Sequence, residues 1–431
     1  MIGRVLGRLR GSQMAHKTMW VFWGQGTRLV LQAVYFVLIA RVLGVGNFGS
    51  FAGAVALVAI VSPFATLGFG NILVQNVARD RSAFRENWGN ALVMTGISGC
   101  ILLVLVMLAA KSLLPPSIPA RLVLTVAISD LFAGRLIDLA SQAFQSLDQM
   151  RWMANILIVL SIARVAAALV LAGLFAHPTA LVWGYLYCGS SALPAVAGVL
   201  LVNRLLGTPR PHFGHVVRQI REGFYFSTGL SAQTVYNDLD KAMLARYSTL
   251  DATGLYAAAY RIIDVLHTPI RSLLYAASTD CFRAGKQGIR GSVAFMQKLM
   301  PKALLYSLLI LCGLLVCAPV IPHILGEEYK RSVEAVRWLA FLPLLRTVHS
   351  FYSDALTGAG FQGLRMLLQV FVAVFNVLVN LWVIPKYSWR GAVFSSLASD
   401  ALLALVIAAA AFVLCRMNAS RSLQPAVEEG V

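Results

Sequence analysis

The stretch from Gly223 to Asp264, GFYFSTGLSAQTVYNDLDKAMLARYSTLDATGLYAAAYRIID, decides the fold. It reads as two apolar helical spans, and the first carries Asp238, Asp240 and Lys241 far from either end. Counted from Tyr225 at helical rise, Asp238 lies about 20 Å in, against a hydrocarbon core of about 30 Å. An ionised side chain at that depth costs at least ~2.5 kcal/mol even on the lenient insertion scale, so these groups face protein or trapped water. Asp238 and Lys241 are three apart and share a helix face, which lets them pair. Asp240 is turned roughly 160° from Asp238 and needs another partner.

Outward from this stretch the chain alternates apolar spans with short breaks. Of its 431 residues 58% are apolar and 13% charged, which is too greasy for a soluble enzyme and too long for a simple anchor. Spans are expected near 19–40, 50–72, 89–110, 118–144, 152–175 and 180–202. A second set follows near 223–248, 252–279, 301–325, 334–357, 364–385 and 390–414. Gly44-Val-Gly46, Pro115-Pro116 and Gly358-Ala-Gly360 punctuate them. The expected fold class is therefore all-α: a polytopic membrane protein of about twelve transmembrane helices in two six-helix lobes with pseudo-two-fold symmetry. The lobes are residues 1–202 and 223–414, joined by a basic cytoplasmic linker, 203–222, and followed by a tail, 415–431. Six spans return the chain to its starting side, so the halves can be related by an axis along the membrane normal. Gln32-Ala-Val-Tyr35 echoed by Gln233-Thr-Val-Tyr236 fits such a repeat.

The formal charge of +18 follows topology and no soluble patch, so nucleic acid is not an expected partner. Arg4, Arg8, Arg10, Lys17, Arg79, Arg81 and Arg85, with the linker arginines, load one side. The other holds fewer, among them Arg41, Lys111, Arg246, Lys330, Arg331, Lys386 and Arg390. Positive charge stays inside, which predicts both termini in the cytoplasm and an uncleaved first span. Cys100, Cys188, Cys281, Cys312, Cys317 and Cys415 lack metal-type spacing and read as small apolar residues; no metal or cofactor is expected.

The remaining intramembrane charges are selective. Arg135 with Asp138, and Arg261 with Asp264, stand three apart and read as structural ion pairs. Arg28, Arg164 and Arg346 have no carboxylate three or four positions away on their own helix. A guanidinium cannot shed its charge, so these three, with Lys241, are the candidate substrate-binding residues, suited to a diphosphate held at two points. Asp238, Asp240 and Asp130 are the candidate ion-coupling carboxylates. His267 and His349 read as packing groups.

Several motifs in order then resemble one family. Arg41-Val-Leu-Gly44 with Phe48-Gly49, and Leu67-Gly68-Phe69-Gly70, look like the first helical hairpin of the Wzx-type polysaccharide flippases, in the group that includes MATE exporters and MurJ. Asp238-Leu-Asp240-Lys241, Gly254-Leu-Tyr256 and Ala258-Ala-Tyr260-Arg261 resemble the matching hairpin of the second half. Gly326-Glu-Glu-Tyr329, Asn376, Asn380, Ile384-Pro385, Tyr387 and Gly391-Ala392 continue the likeness. Ser388 departs from it, standing where the family's turn commonly has Gly, and Tyr275-Ala-Ala-Ser278 lacks the family's Pro.

The resemblance implies a transporter in the bacterial inner membrane that turns a polyprenyl-diphosphate-linked oligosaccharide from the cytoplasmic to the periplasmic leaflet by alternating access. Its partners would be that lipid-linked oligosaccharide, membrane lipids, and a polysaccharide polymerase with its chain-length factor. A MATE-like exporter would want surplus carboxylates where this chain has arginines, and MurJ-type lipid II flippases usually have fourteen spans. An enzyme would need catalytic residues on a sizeable outer loop, and a purely structural subunit would tolerate neutralising every deep charge in pairs.

Overall fold

The computed structural model describes residues 2–212, 214 and 216–422. Side chains are described between 26 and 417 except at 78, 79, 213, 215–218, 221, 222, 225, 226, 229, 230, 232, 233, 236 and 279. The side chains of Arg4, Arg8, Arg10, Lys17, Gln233 and Tyr236, and tail residues 423–431, lie outside what is described.

Among the described residues the regular elements are all helical. Six stretches are long and apolar enough to cross a membrane: Gly26–Val77, Arg81–Leu113, Met150–Leu174, Ala180–Leu205, Ile289–Leu325 and Gln362–Met417. The first and last, at 52 and 56 residues, are each long enough for two crossings of a core about 30 Å thick. The helices around 120–146, 216–247, 250–285 and 332–358 are less apolar, and they carry most of the buried charges that lower their hydropathy. The surface inverts that of a soluble protein: Leu108, Leu174, Leu193, Val316 and Leu405 are all more than 60% exposed.

By packing, the chain divides into two units, Met1–Arg246 and Tyr247–Val431. The first begins with α1 (Ile2–Val61), whose two arms meet at Gly44 (φ 69°, ψ 172°), a conformation that a residue with a Cβ adopts only at a cost. The span expected over 50–72 is not one helix. Pro63 opens a 3-10 turn, Ser62–Ala65; Leu67 and Gly68 then take positive φ, and α2 (Phe69–Arg79) restarts. Pro63 lacks the N–H that a continuing helix needs. At this break the chain meets α8 (Val216–Tyr247) backbone to backbone, since a Cβ on Gly68 would stand 2.7 Å from Gly223 Cα. Ser231 Oγ donates to Ile60 O at 2.7 Å and holds α8 there.

α3 (Phe84–Leu113) ends at Leu114-Pro115-Pro116. The next crossing is α4 (Ala120–Ile128), a π-helical turn (Ser129–Ala133) and α5 (Gly134–Ser146). α6 (Met150–Leu174) packs on α1, and α7 (Ala180–Leu205) on α4 to α6. Asn47 Oδ1 accepts from Ala180 N at 3.1 Å, so the α1 kink caps α7. Phe69, Leu73, Trp88, Ile137 and Phe144 form a closed core. Below it Asn90 clamps the linker, donating to His212 O and accepting from His212 N, each at 2.9 Å.

The second unit holds α9 (Leu250–Gly285), α10 (Ile289–Cys317), α11 (Ile321–Leu325), α12 (Ser332–Leu339), α13 (Leu342–Gly358) and α14 (Gln362–Ser422). The span expected over 334–357 is two helices, α12 and α13, with Pro343 starting the second. α14 turns back on itself at Ser388 (φ 55°, ψ −137°). Its arms are joined by buried polar groups, Asn376 Nδ2 donating to Ser395 Oγ at 3.2 Å and to Ser399 Oγ at 3.0 Å. Such bonds hold helices together where lipid supplies no hydrophobic drive.

Candidate functional site

In each unit an arginine lies over a tyrosine ring inside an apolar span. In the first unit the π-helical turn adds a residue to the helix, and Asp130 sits within it; such turns recur at functional positions because they re-aim a side chain. Asp130 Oδ1 accepts from Tyr187 Oη on α7 at 2.9 Å. The guanidinium carbon of Arg164, from α6, stands 4.2 Å from the centroid of the same ring. Arg164 Nη2 donates to Ser191 Oγ at 3.3 Å, and Ser129 Oγ donates to Ser191 at 3.1 Å. Arg164 Nε is buried with no hydrogen-bond partner. The guanidinium is therefore positioned by a ring and a hydroxyl, with Asp130 within electrostatic reach, and its Nε hydrogen is left without an acceptor.

Elsewhere in this unit Lys241 and Asp238 form the expected bridge, and Lys241 Nζ also donates to Asn237 O at 3.0 Å. Asp240, 1% exposed, accepts from Lys241 N at 2.7 Å. Arg135 and Asp138 pair at 3.1 Å, and Arg28 is half-buried.

In the second unit the arginine is enclosed. Arg346 on α13 donates from Nη1 to Asp264 Oδ1 at 3.0 Å and from Nε to Asp400 Oδ2 at 3.4 Å. Its Nη2 donates to Tyr260 Oη, and its guanidinium carbon stands 4.8 Å from the Tyr260 ring centroid. His349 Nε2 meets Asp400 Oδ1 at 3.1 Å. Asp264 thus bonds Arg346 across helices, and no ion pair joins it to Arg261, the partner expected from spacing. Arg346 is likewise no open cation, being tied to two carboxylates. Spacing within one helix sees only that helix, which is why these partners were missed. Tyr260, four residues before Asp264 and so on its face, was readable; Tyr187, Asp400's partners and the π turn carry no such local signal.

No group of three or more metal-ligating side chains occurs among the described residues. Comparison with known proteins gives consistent likenesses. Residues 14–278 match the family model described as polysaccharide biosynthesis protein. A putative O-antigen transporter of Escherichia coli is 22% identical over 341 residues, covering 76% of this chain and 79% of that protein. An uncharacterized membrane protein of Methanocaldococcus jannaschii is 22% identical over 184 residues, which are 40% of this chain and only 35% of that protein. Among solved structures, an inward-facing multidrug resistance MATE family transporter of the MOP superfamily superposes with a TM-score of 0.72 at 14% identity, over 93% of this chain and 96% of that one. The lipid II flippase MurJ in an inward closed conformation gives 0.73 at 11% identity, over 91% and 86%.

Proposed function

This chain belongs to the polysaccharide biosynthesis protein family, and from that premise we propose that it is a multi-pass membrane transporter of the MOP type and not an enzyme, and we propose its cargo and route. It carries a polyprenyl-diphosphate-linked oligosaccharide from the cytoplasmic to the periplasmic leaflet of the bacterial inner membrane, by alternating access of two six-helix lobes. The observation that carries this reading is Arg164: a guanidinium in an apolar span, over the Tyr187 ring, with its Nε hydrogen left without an acceptor. A passing diphosphate supplies the missing acceptor at two points, which no neutral or cationic drug can do. Arg28 and Lys241 are further cationic groups of the same unit, whereas Arg346 already holds two carboxylates and serves first to join its helices. Asp130, which shares Tyr187 with Arg164, and Asp238 with Asp240 are the proposed ion-coupling groups.

The test is flipping in vesicles holding the purified chain and a fluorescent polyprenyl-diphosphate oligosaccharide, scored per folded molecule. Flipping that requires the protein, and falls when Arg164 is neutralised, supports the reading. The fold likeness itself favours a second reading over the first, a MATE-like ion-coupled exporter or a lipid II flippase. Vesicles that move a cationic dye or lipid II but leave the oligosaccharide carrier in place would establish that reading and end the first. In cells, the lipid-linked species that accumulates when the gene is removed identifies the cargo, and co-purification tests the proposed polymerase and chain-length partners.

A further inference from the structure

One recess in the second unit lies among its chain turns. Three chain reversals meet there: the α8–α9 junction at Thr249 and Asp251, the start of α12 at Arg331 and Glu334, and the α14 reversal at Tyr387 to Arg390. They enclose about 670 Å³, within the ~300–1,000 Å³ usual for small-molecule sites. All three reversals lie on the side with fewer basic residues, which the charge rule places outside the membrane.

Its lining mixes aromatic faces with charges of both signs. Tyr387 is 61% exposed, and Arg390 lies 5.4 Å from the Trp389 ring centroid while donating to Glu334 Oε2 at 3.0 Å. Arg331 and Asp251 have neither hydrogen bond nor ion pair, so a cation and an anion project into the recess with donors and acceptors unused. One part of the wall is strained. Ser388 holds a backbone conformation that favours glycine, and its Oγ meets Ser248 Oγ at 2.5 Å, tying two of the three reversals together. Strain kept in place by a specific bond is a mark of a site whose shape matters.

We propose that this recess is a saccharide-binding subsite, in which a pyranose ring lies on Trp389 or Tyr387 and its hydroxyls bridge Asp251 and Arg331. Aromatic faces take the apolar C–H side of a sugar, and a carboxylate with a guanidinium takes vicinal hydroxyls or a uronic carboxylate. A lipid tail would find too many charges here, and a dinucleotide too little positive charge. The inference rests on the saccharide cargo proposed above, and it adds a place where the glycan is held after it leaves the membrane interior.

The test is direct binding of free D-glucuronate and N-acetyl-D-glucosamine to the full-length chain in nanodiscs, by tryptophan fluorescence and calorimetry. Saturable binding of at least one is expected, weakened at least tenfold by Trp389→Ala and by Arg331→Gln and unchanged by Trp382→Phe. Arg331 is exposed and unpartnered, so its replacement leaves folding intact. Binding of neither sugar, or binding indifferent to both substitutions, overturns the subsite. If flipping of the lipid-linked oligosaccharide persists in that case, the cargo reading stands and only the subsite falls. A photoreactive benzophenone at position 387 should label glycan in cells; an adduct with another protein in its place would make the recess a protein-docking surface and refute the proposal.

Discussion

The two units meet the same two demands differently. Each must keep an arginine in the apolar layer, and each must reverse the chain where two helical arms run on. The first unit sets Arg164 on Tyr187 with a single carboxylate nearby and reverses at Gly44, where positive φ costs little. The second encloses Arg346 between Asp264 and Asp400 and reverses at Ser388, where positive φ costs more. A filled guanidinium acts as a joint between helices. One with a donor left over is a candidate for something that arrives and leaves.

The sharpest way to break the contrast is to neutralise both arginines. Arg346→Gln strands the buried Asp400, and leaving a buried charge without its partner costs about 3–5 kcal/mol, so protein level and thermal stability should collapse before turnover is measurable. Arg164→Gln should do the reverse: melting within about 1 kcal/mol of the parent, flipping per folded molecule down at least tenfold, with Arg164→Lys between. If Arg346→Gln melts normally and only flips poorly, the distinction between joint and site is gone. A smaller effect comes from pairing Arg346→Gln with Asp400→Asn. The double variant should recover about 1–3 kcal/mol over the sum of the singles in chemical denaturation, because the stranded charge is removed with its partner.

Asp130→Asn keeps an oxygen for Tyr187 and removes the carboxylate. The fold should stay within about 1 kcal/mol, and flipping should lose its response to an imposed proton or sodium gradient. An unchanged response would take Asp130 out of coupling. The smallest effect separates the two reversals. Ser388→Ala loses the bond to Ser248 and keeps the strain, whereas Ser388→Gly loses both, so the glycine variant should be more stable than the alanine one by about 1–3 kcal/mol. Equal stabilities would mean that Ser388 carries no strain.

What could be read from the residues alone follows a physical line. Apolar spans and the charges inside them were visible because a charge among lipid-length apolar runs is conspicuous, and Lys241 with Asp238 was right because both lie on one helix. The Arg261–Asp264 pairing failed because Asp264 had a better partner on another helix, which spacing cannot weigh. The span expected over 50–72 runs through the break at Pro63 to Gly68, since hydropathy averages over a local kink. The π turn at Asp130 leaves no compositional trace, yet it sets where that carboxylate points.

The crossing of Gly68 over Gly223 has a mechanical consequence. Where helices touch through side chains, a small displacement is absorbed by rotamers and the contact slips. Here a Cβ on Gly223 would stand 1.7 Å from Leu67 O, so main chain bears on main chain with nothing compliant between. The contact has no slack, and an added methyl group at either glycine would force the two segments apart.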